Sequence, residues 1–221
     1  MLWRFLSHVY FEAAYGGQVS VLEWLIKIDH LMDPYICFKA AEGGKLDTLK
    51  WLKQHDFPWD VHTCKGAAMN GHLEVLQWAR QNGCLWNEQV VNTAASGGYL
   101  DVIIWAKQND CPWSLRTVEC AVAEGHLAVL QWLILNGCPN RIVGGICKLA
   151  AENNKLEIMK WAKNLEPWNE EISNTAAYYG HIELLKWVIE NGCPFNKKTC
   201  SRATAGGQLE VLKWLREITC P

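Results

Sequence analysis

One residue type sets the rhythm of this chain. Tryptophan recurs at 24, 51, 78, 105, 132, 161, 187 and 214, at intervals of 27, 27, 27, 27, 29, 26 and 27 residues. A repeat of this length is one supersecondary unit that cannot bury its apolar face alone, so the chain must fold by stacking neighbours. Other columns keep step. A small pair stands ten to eleven residues before each tryptophan: Ala13-Ala14, Ala40-Ala41, Ala67-Ala68, Ala94-Ala95, Ala121-Val122, Ala150-Ala151, Ala176-Ala177 and Ala203-Thr204. A glycine lies seven before it at 17, 44, 71, 98, 125, 180 and 207, and only the sixth repeat departs, with Asn154. A second aromatic column follows at Trp59, Trp86, Trp113, Trp168 and Phe195.

Each repeat reads as helix, tight turn, helix, loop. In Leu73-Glu74-Val75-Leu76-Gln77-Trp78-Ala79 the apolar positions cover more than half of the helical circumference, as expected of a helix covered by several neighbours. The acidic residue in the first turn suits the helix dipole. Asp47/Lys50, Glu157/Lys160, Glu183/Lys186 and Glu210/Lys213 add i,i+3 pairs on the wet side. The second helix stops at Asn-Gly-Cys (82–84, 136–138, 191–193), where glycine takes the left-handed conformation, and Pro112, Pro139 or Pro194 prevents continuation. The alanine pairs let the two helices approach closely, and the tryptophan at 78 and its equivalents are expected to fill the gap between repeats.

These columns resemble the ankyrin repeat. Thr175-Ala176-Ala177-Tyr178-Tyr179-Gly180-His181-Ile182-Glu183-Leu184-Leu185-Lys186-Trp187 is similar to that family's Ala-Ala-x-x-Gly-His-Leu-Glu-Val-Val core, and so is Gly71-His72-Leu73-Glu74-Val75-Leu76. The family's unit is longer, and the residues missing here come mostly from the segment that forms its protruding β-hairpin. Its Thr-Pro-Leu-His opening is replaced by Thr63-Cys64 and Thr199-Cys200. The resemblance therefore implies an all-α solenoid of about eight stacked helix-turn-helix repeats, with reduced or absent hairpins, forming a single domain over 1–221. It also implies a scaffold or adaptor that binds partner proteins, with no catalytic residues. The rival expectation is a targeting module of a larger enzyme whose catalytic domain lies outside this sequence.

Composition agrees with these limits. The net charge is −2, with no basic stripe, so no nucleic-acid partner is expected. No apolar run approaches the roughly 18 residues that cross a bilayer, so no membrane partner is expected either. The N-terminus lacks a basic segment followed by a sustained apolar one, and no Asn-x-Ser/Thr sequon occurs. A reducing, intracellular setting is the expectation.

The ten cysteines fall into two columns. Cys84, Cys111, Cys138, Cys193 and Cys220 follow the second helix; Cys37, Cys64, Cys147 and Cys200 begin the first, with Cys120 displaced. Stacking at about 8–10 Å keeps cysteines of one column too far apart for a disulfide, whereas a cross-column pair such as Cys64/Cys84 is within reach. No Cys-x-x-Cys occurs, so they read as small buried hydrophobes rather than metal ligands. His72, His126 and His181 lie two repeats apart and read as hydrogen-bonding turn residues. No phosphate loop or nucleophile elbow is present, and no cofactor is expected.

A partner would meet the positions that vary while their neighbours repeat. Thirteen and nine residues before each tryptophan lie two columns at i and i+4, which share one stripe of the first helix. With the position after the second column, they nominate Lys65, Met69, Asn70, Asn92, Ser96, Glu119, Glu124, Lys148, Glu152, Asn174, Tyr178 and Tyr179 as partner-binding residues. The resemblance places the two residues after Ala-Ala near the family's binding face.

Two irregularities carry further expectations. The insertion at Arg141-Ile142-Val143-Gly144-Gly145, with Leu165-Glu166 in place of Asn-Gly-Cys, predicts a weak point in the array. The last repeat keeps an interior pattern through Leu212 and Trp214. It predicts either end-to-end self-association through that repeat or a longer natural chain.

Overall fold

Among the described residues, five repeats begin with a side-chain cap on the first helix. The computed structural model describes residues 2–28, 31–141 and 145–218. Asp33, Asp60 and Asn87 each accept a backbone N–H two residues on, at 2.9–3.0 Å, which satisfies an orphan donor at the helix start. They open the first helices α3 (Pro34–Glu42), α5 (Val61–Met69) and α7 (Glu88–Gly97), which follow α1 (Leu2–Gly16). Each is followed by a second helix: α2 (Val19–Ile28), α4 (Leu46–Gln54), α6 (Leu73–Gln81) and α8 (Leu100–Gln108).

The chain divides into two compact bodies, Met1–Thr117 and Val118–Pro221, with α9 (Leu115–Glu124) spanning the boundary. The second body holds the rest of α9, then α10 (Leu127–Leu135), α11 (Gly145–Glu152), α12 (Leu156–Ala162), α13 (Glu170–Tyr179), α14 (Ile182–Glu190), α15 (Lys197–Ala205) and α16 (Leu209–Ile218). Among the described residues there are sixteen helices and no strand, so the shortened segment between repeats forms no β-hairpin.

Within each body the first helices pack on one another, α1 on α3, α3 on α5 and α5 on α7, and likewise α11 on α13 and α13 on α15. The small pairs explain why. Ala40, Ala41, Ala67, Ala68, Ala94, Ala95, Ala150, Ala151, Ala176 and Ala177 are fully buried, and nothing larger would let backbones approach so closely. A Cβ on Gly43 would strike the Tyr15 carbonyl, and one on Gly206 the Tyr178 carbonyl, so adjacent first helices touch backbone to backbone at these points.

The repeating tryptophans do not fill the gap between repeats as expected. Trp51, Trp78, Trp105, Trp132, Trp161, Trp187 and Trp214 are half-buried, and Trp24 is exposed. The second helix instead buries the residues three and two before the tryptophan and one after it: Val75, Leu76 and Ala79, or Val102, Ile103 and Ala106. At 3.6 residues per turn those three share one direction, about 100° from the tryptophan. The ring therefore lies on the flank of the seam, where it meets the loop. Trp59 packs edge-on against Trp78 of the next repeat at 5.8 Å between centroids, as do Trp86 with Trp105 at 5.6 Å and Trp168 with Trp187 at 5.7 Å. A cation lies by each loop tryptophan: Lys53 at Trp59 (4.5 Å), Arg80 at Trp86 (4.6 Å), Lys107 at Trp113 (4.2 Å) and Lys163 at Trp168 (5.7 Å).

Thiols close the seam from the other side. Cys84 Sγ donates to the Asp60 carbonyl at 3.2 Å, Cys111 to that of Asn87 at 3.5 Å and Cys193 to that of Asn169 at 3.5 Å. Each bond ties the end of a second helix to the capping residue of its own repeat's first helix. Burial pushes the Cys37, Cys111 and Cys147 thiols up to about 12 and that of Cys193 to about 11. Cys64 and Cys84 are both free and share a hydrogen bond, which raises the first and lowers the second. Cys200 is disulfide-bonded, contrary to the expectation that every thiol is reduced.

The region of the insertion has a cap of its own. Residues 142–144 lie outside the described residues. Beyond them Glu166, from the loop after α12, accepts the Cys147 N–H at 2.6 Å and so supplies the carboxylate that α11 lacks locally. Gly145 is required there, with φ +86° and no room for a Cβ beside the Glu166 carboxylate.

Candidate partner-binding face

The nominated residues divide by body. In the first, Lys65 and Met69 are half-buried on α5 and Ser96 is half-buried on α7. Asn70 is exposed, and its Nδ2 donates to the Glu42 carbonyl at 2.9 Å. Asn92 is half-buried because its Oδ1 accepts from Thr117 Oγ1 of the next first helix at 2.6 Å. On α9, Glu119 is half-buried and Glu124 is exposed.

In the second body Lys148, Glu152, Asn174, Tyr178 and Tyr179 line one groove of about 180 Å³. Three successive first helices build it. Lys148 and Glu152 are a turn apart on α11, Asn174 and Tyr178 a turn apart on α13, and Arg202 comes from α15. Tyr178 and Tyr179 are 40% and 49% exposed, large for aromatic rings on a packed helix, and they meet edge-on at 5.1 Å. Tyr179 also stacks on His181, whose Nε2 donates to the Glu152 carbonyl at 3.1 Å. That bond is the turn role expected of this histidine column.

Asn174 departs from the solvent-facing position expected of its column. It is 1% exposed, because Oδ1 accepts from Thr199 Oγ1 at 2.9 Å, the same cross-link that Asn92 makes to Thr117. Nδ2 of Asn174 has no hydrogen-bond partner. Lys198 pairs with Glu171 at 2.8 Å and holds that carboxyl below its usual range, with Lys148 and Arg202 adding to the effect.

Glu171, Thr175 and Arg202 complete the groove and were not among the nominated residues. Thr175 and Arg202 occupy one column, twelve residues before Trp187 and Trp214. A stripe drawn one residue wider would have included them, since neighbouring columns on a helix share a face. Among the described residues, no three His, Cys, Asp or Glu side chains converge as metal ligands would, and no helix is long and apolar enough to cross a membrane.

The stack of helix pairs has a counterpart among solved structures. The human ASB11 ankyrin repeat domain superposes with a TM-score of 0.63 at 15% sequence identity, over 84% of this chain and 98% of that one. The fold is that of an ankyrin repeat domain. No protein-family model and no curated protein sequence matches the chain. The ankyrin architecture is thus reached here through 27-residue repeats in which helix pairs follow one another without strands among the described residues.

Proposed function

We propose that this protein is a scaffold or adaptor that binds a partner protein on the face formed by its first helices, and that it is not itself an enzyme. The observation that carries this reading is the groove of the second body, where five of the nominated residues meet, two of them exposed tyrosines. Tyrosines of this kind supply contact area at low entropic cost and are enriched where proteins bind. Affinity capture with quantitative mass spectrometry tests it, comparing the parent, a Tyr178→Ala/Tyr179→Ala variant and a control, Glu183→Ala/Lys186→Ala on α14. The partner should be recovered by the parent and the control and depleted about tenfold by loss of the tyrosines. Equal recovery by all three overturns the reading.

Residues 1–221 act in this reading as one repeat domain. Coincident unfolding of both bodies in urea would support that, and two separated transitions would refute it. We read a reducing intracellular setting from eight free thiols, seven of them buried, which outnumber the one disulfide-bonded cysteine, Cys200. Self-association through α16 is favoured by Leu209, 60% exposed, and Ile218, 38% exposed. Sedimentation over a concentration series should show the parent associating and Leu209→Glu remaining monomeric; a monomeric parent at high concentration contradicts it.

A further inference from the structure

Only half of the Asn174 amide is used. The oxygen is bonded to Thr199, while the amino group, shut away from water at the floor of the groove, has no acceptor. A buried N–H in that state is costly, and an incoming acceptor would recover the loss. Two cations border the same groove. Among the described residues neither the Lys148 ammonium nor the Arg202 guanidinium makes a hydrogen bond or an ion pair, although Glu171 lies nearby, because Lys198 already occupies that carboxylate.

Charge and size narrow what fits. The space is about 180 Å³, room for roughly six waters, which suits a carboxylate and its stem. A dianionic phosphate would meet Glu152 and Glu171 inside the same groove, and like charges so placed count against it. A monoanion with two acceptor oxygens satisfies both cations and the buried donor together.

We propose that this groove is a carboxylate-binding subsite of the partner-binding face: a partner polypeptide seats an acidic side chain or its C-terminus between Lys148 and Arg202, with one oxygen accepting from Asn174 Nδ2. The proposal rests on the scaffold reading and adds the chemistry of the bound segment.

The test uses the full chain, labelled with ¹⁵N, and follows the Asn174 side-chain NH₂ resonances. The probes are N-acetyl-glutamate N-methylamide for an acidic side chain, N-acetyl-alanyl-glycine for a C-terminus, N-acetyl-glutamine N-methylamide as the neutral isostere, and inorganic phosphate. A saturable shift with either carboxylate, absent with the glutamine probe and weakened about tenfold in Arg202→Gln and in Lys148→Gln, supports the proposal. Which carboxylate binds more tightly identifies its source. An equal shift with the glutamine probe, tighter binding of phosphate, or no saturable shift with a folded parent overturns it. Capture through Tyr178 and Tyr179 reads partner binding independently, so failure here would be separable from failure of the scaffold reading.

Discussion

The Arg80 guanidinium lies 4.6 Å from the centre of the Trp86 ring, six residues further along the chain. The loop ring is thereby held from two sides, by the cation of its own repeat and by the edge-on Trp105 of the next. A double-mutant cycle of Arg80→Ala and Trp86→Leu, read by urea unfolding, should return a coupling energy of about 0.5–1 kcal/mol. Additive single effects would show that the contact contributes nothing.

A backbone position offers a gain in stability. Asp110 takes φ 61°, where Gly83, Gly137 and Gly192 stand at the equivalent end of other second helices with φ 78–90°. The left-handed conformation costs a side-chain-bearing residue about 1 kcal/mol. Asp110→Gly should therefore stabilise by about 0.5–1 kcal/mol, and Gly83→Ala should destabilise by about 1 kcal/mol even though its Cβ would meet nothing within 4 Å. Chemical denaturation decides, and reversal of either sign would contradict the strain argument.

Glu166 should matter more than a loop glutamate ordinarily does. Its carboxylate is the acceptor for the Cys147 N–H at the start of α11, and Glu166→Ala leaves that donor without its protein acceptor. A loss of about 1 kcal/mol is expected. Amide exchange should accelerate over 145–149 and stay unchanged over 88–97. Unaltered exchange in α11 would mean that the cap is dispensable.

Alkaline pH should weaken the fold in a defined window. Cys37, Cys111 and Cys147 ionise near 12 when folded, against an ordinary value of 9.0. Above that ordinary value the unfolded chain releases protons that the folded chain keeps, so stability is fully present below about pH 9 and is lost as pH rises towards the folded values. Between about pH 8 and about pH 10 the parent should lose roughly 1 kcal/mol more stability than Cys111→Ala, judged from one thiol's shift. Identical losses would show that this thiol does not carry the effect.

The tryptophan period, the alanine pairs and the glycine turns made the helix pairs legible in the sequence, because each answers to a local requirement that recurs along the chain. The direction in which the tryptophan points was not legible from period alone. Position 78 shares the apolar arc with Val75, Leu76 and Ala79, and only packing decides which part of a wide arc becomes the centre. A signal for its real surroundings was nevertheless present. Lys53, Arg80, Lys107 and Lys163 stand two residues after tryptophans whose loops carry Trp59, Trp86, Trp113 and Trp168, whereas Ile26, Ile134 and Ile189 stand where the loops carry Met32, Asn140 and Phe195. That covariation within one chain marks contact between the two positions. Four residues of the groove were found by variability and Tyr179 through the family resemblance, but Asn174 was misplaced as exposed, although its bond has a sequence mark that was overlooked: Asn92 and Asn174 each stand 25 residues before a threonine, Thr117 and Thr199. Glu166 was invisible because it reaches the start of α11 from 19 residues further along the chain, outside the position at which the other first helices are capped.

The thiol bonds from Cys84 to Asp60 and from Cys111 to Asn87 both span 24 residues. Removing residues 61–87 would therefore leave Cys111 at the same span from the Asp60 carbonyl, and the shortened chain would rejoin without an unmatched seam. Gain or loss of a whole repeat therefore keeps thiol and carbonyl in register, and a change of another length is tolerated only in the loop between one thiol and the next cap, where the insertion near Arg141 lies. The interval between tryptophans is in this sense the step size in which the protein can evolve.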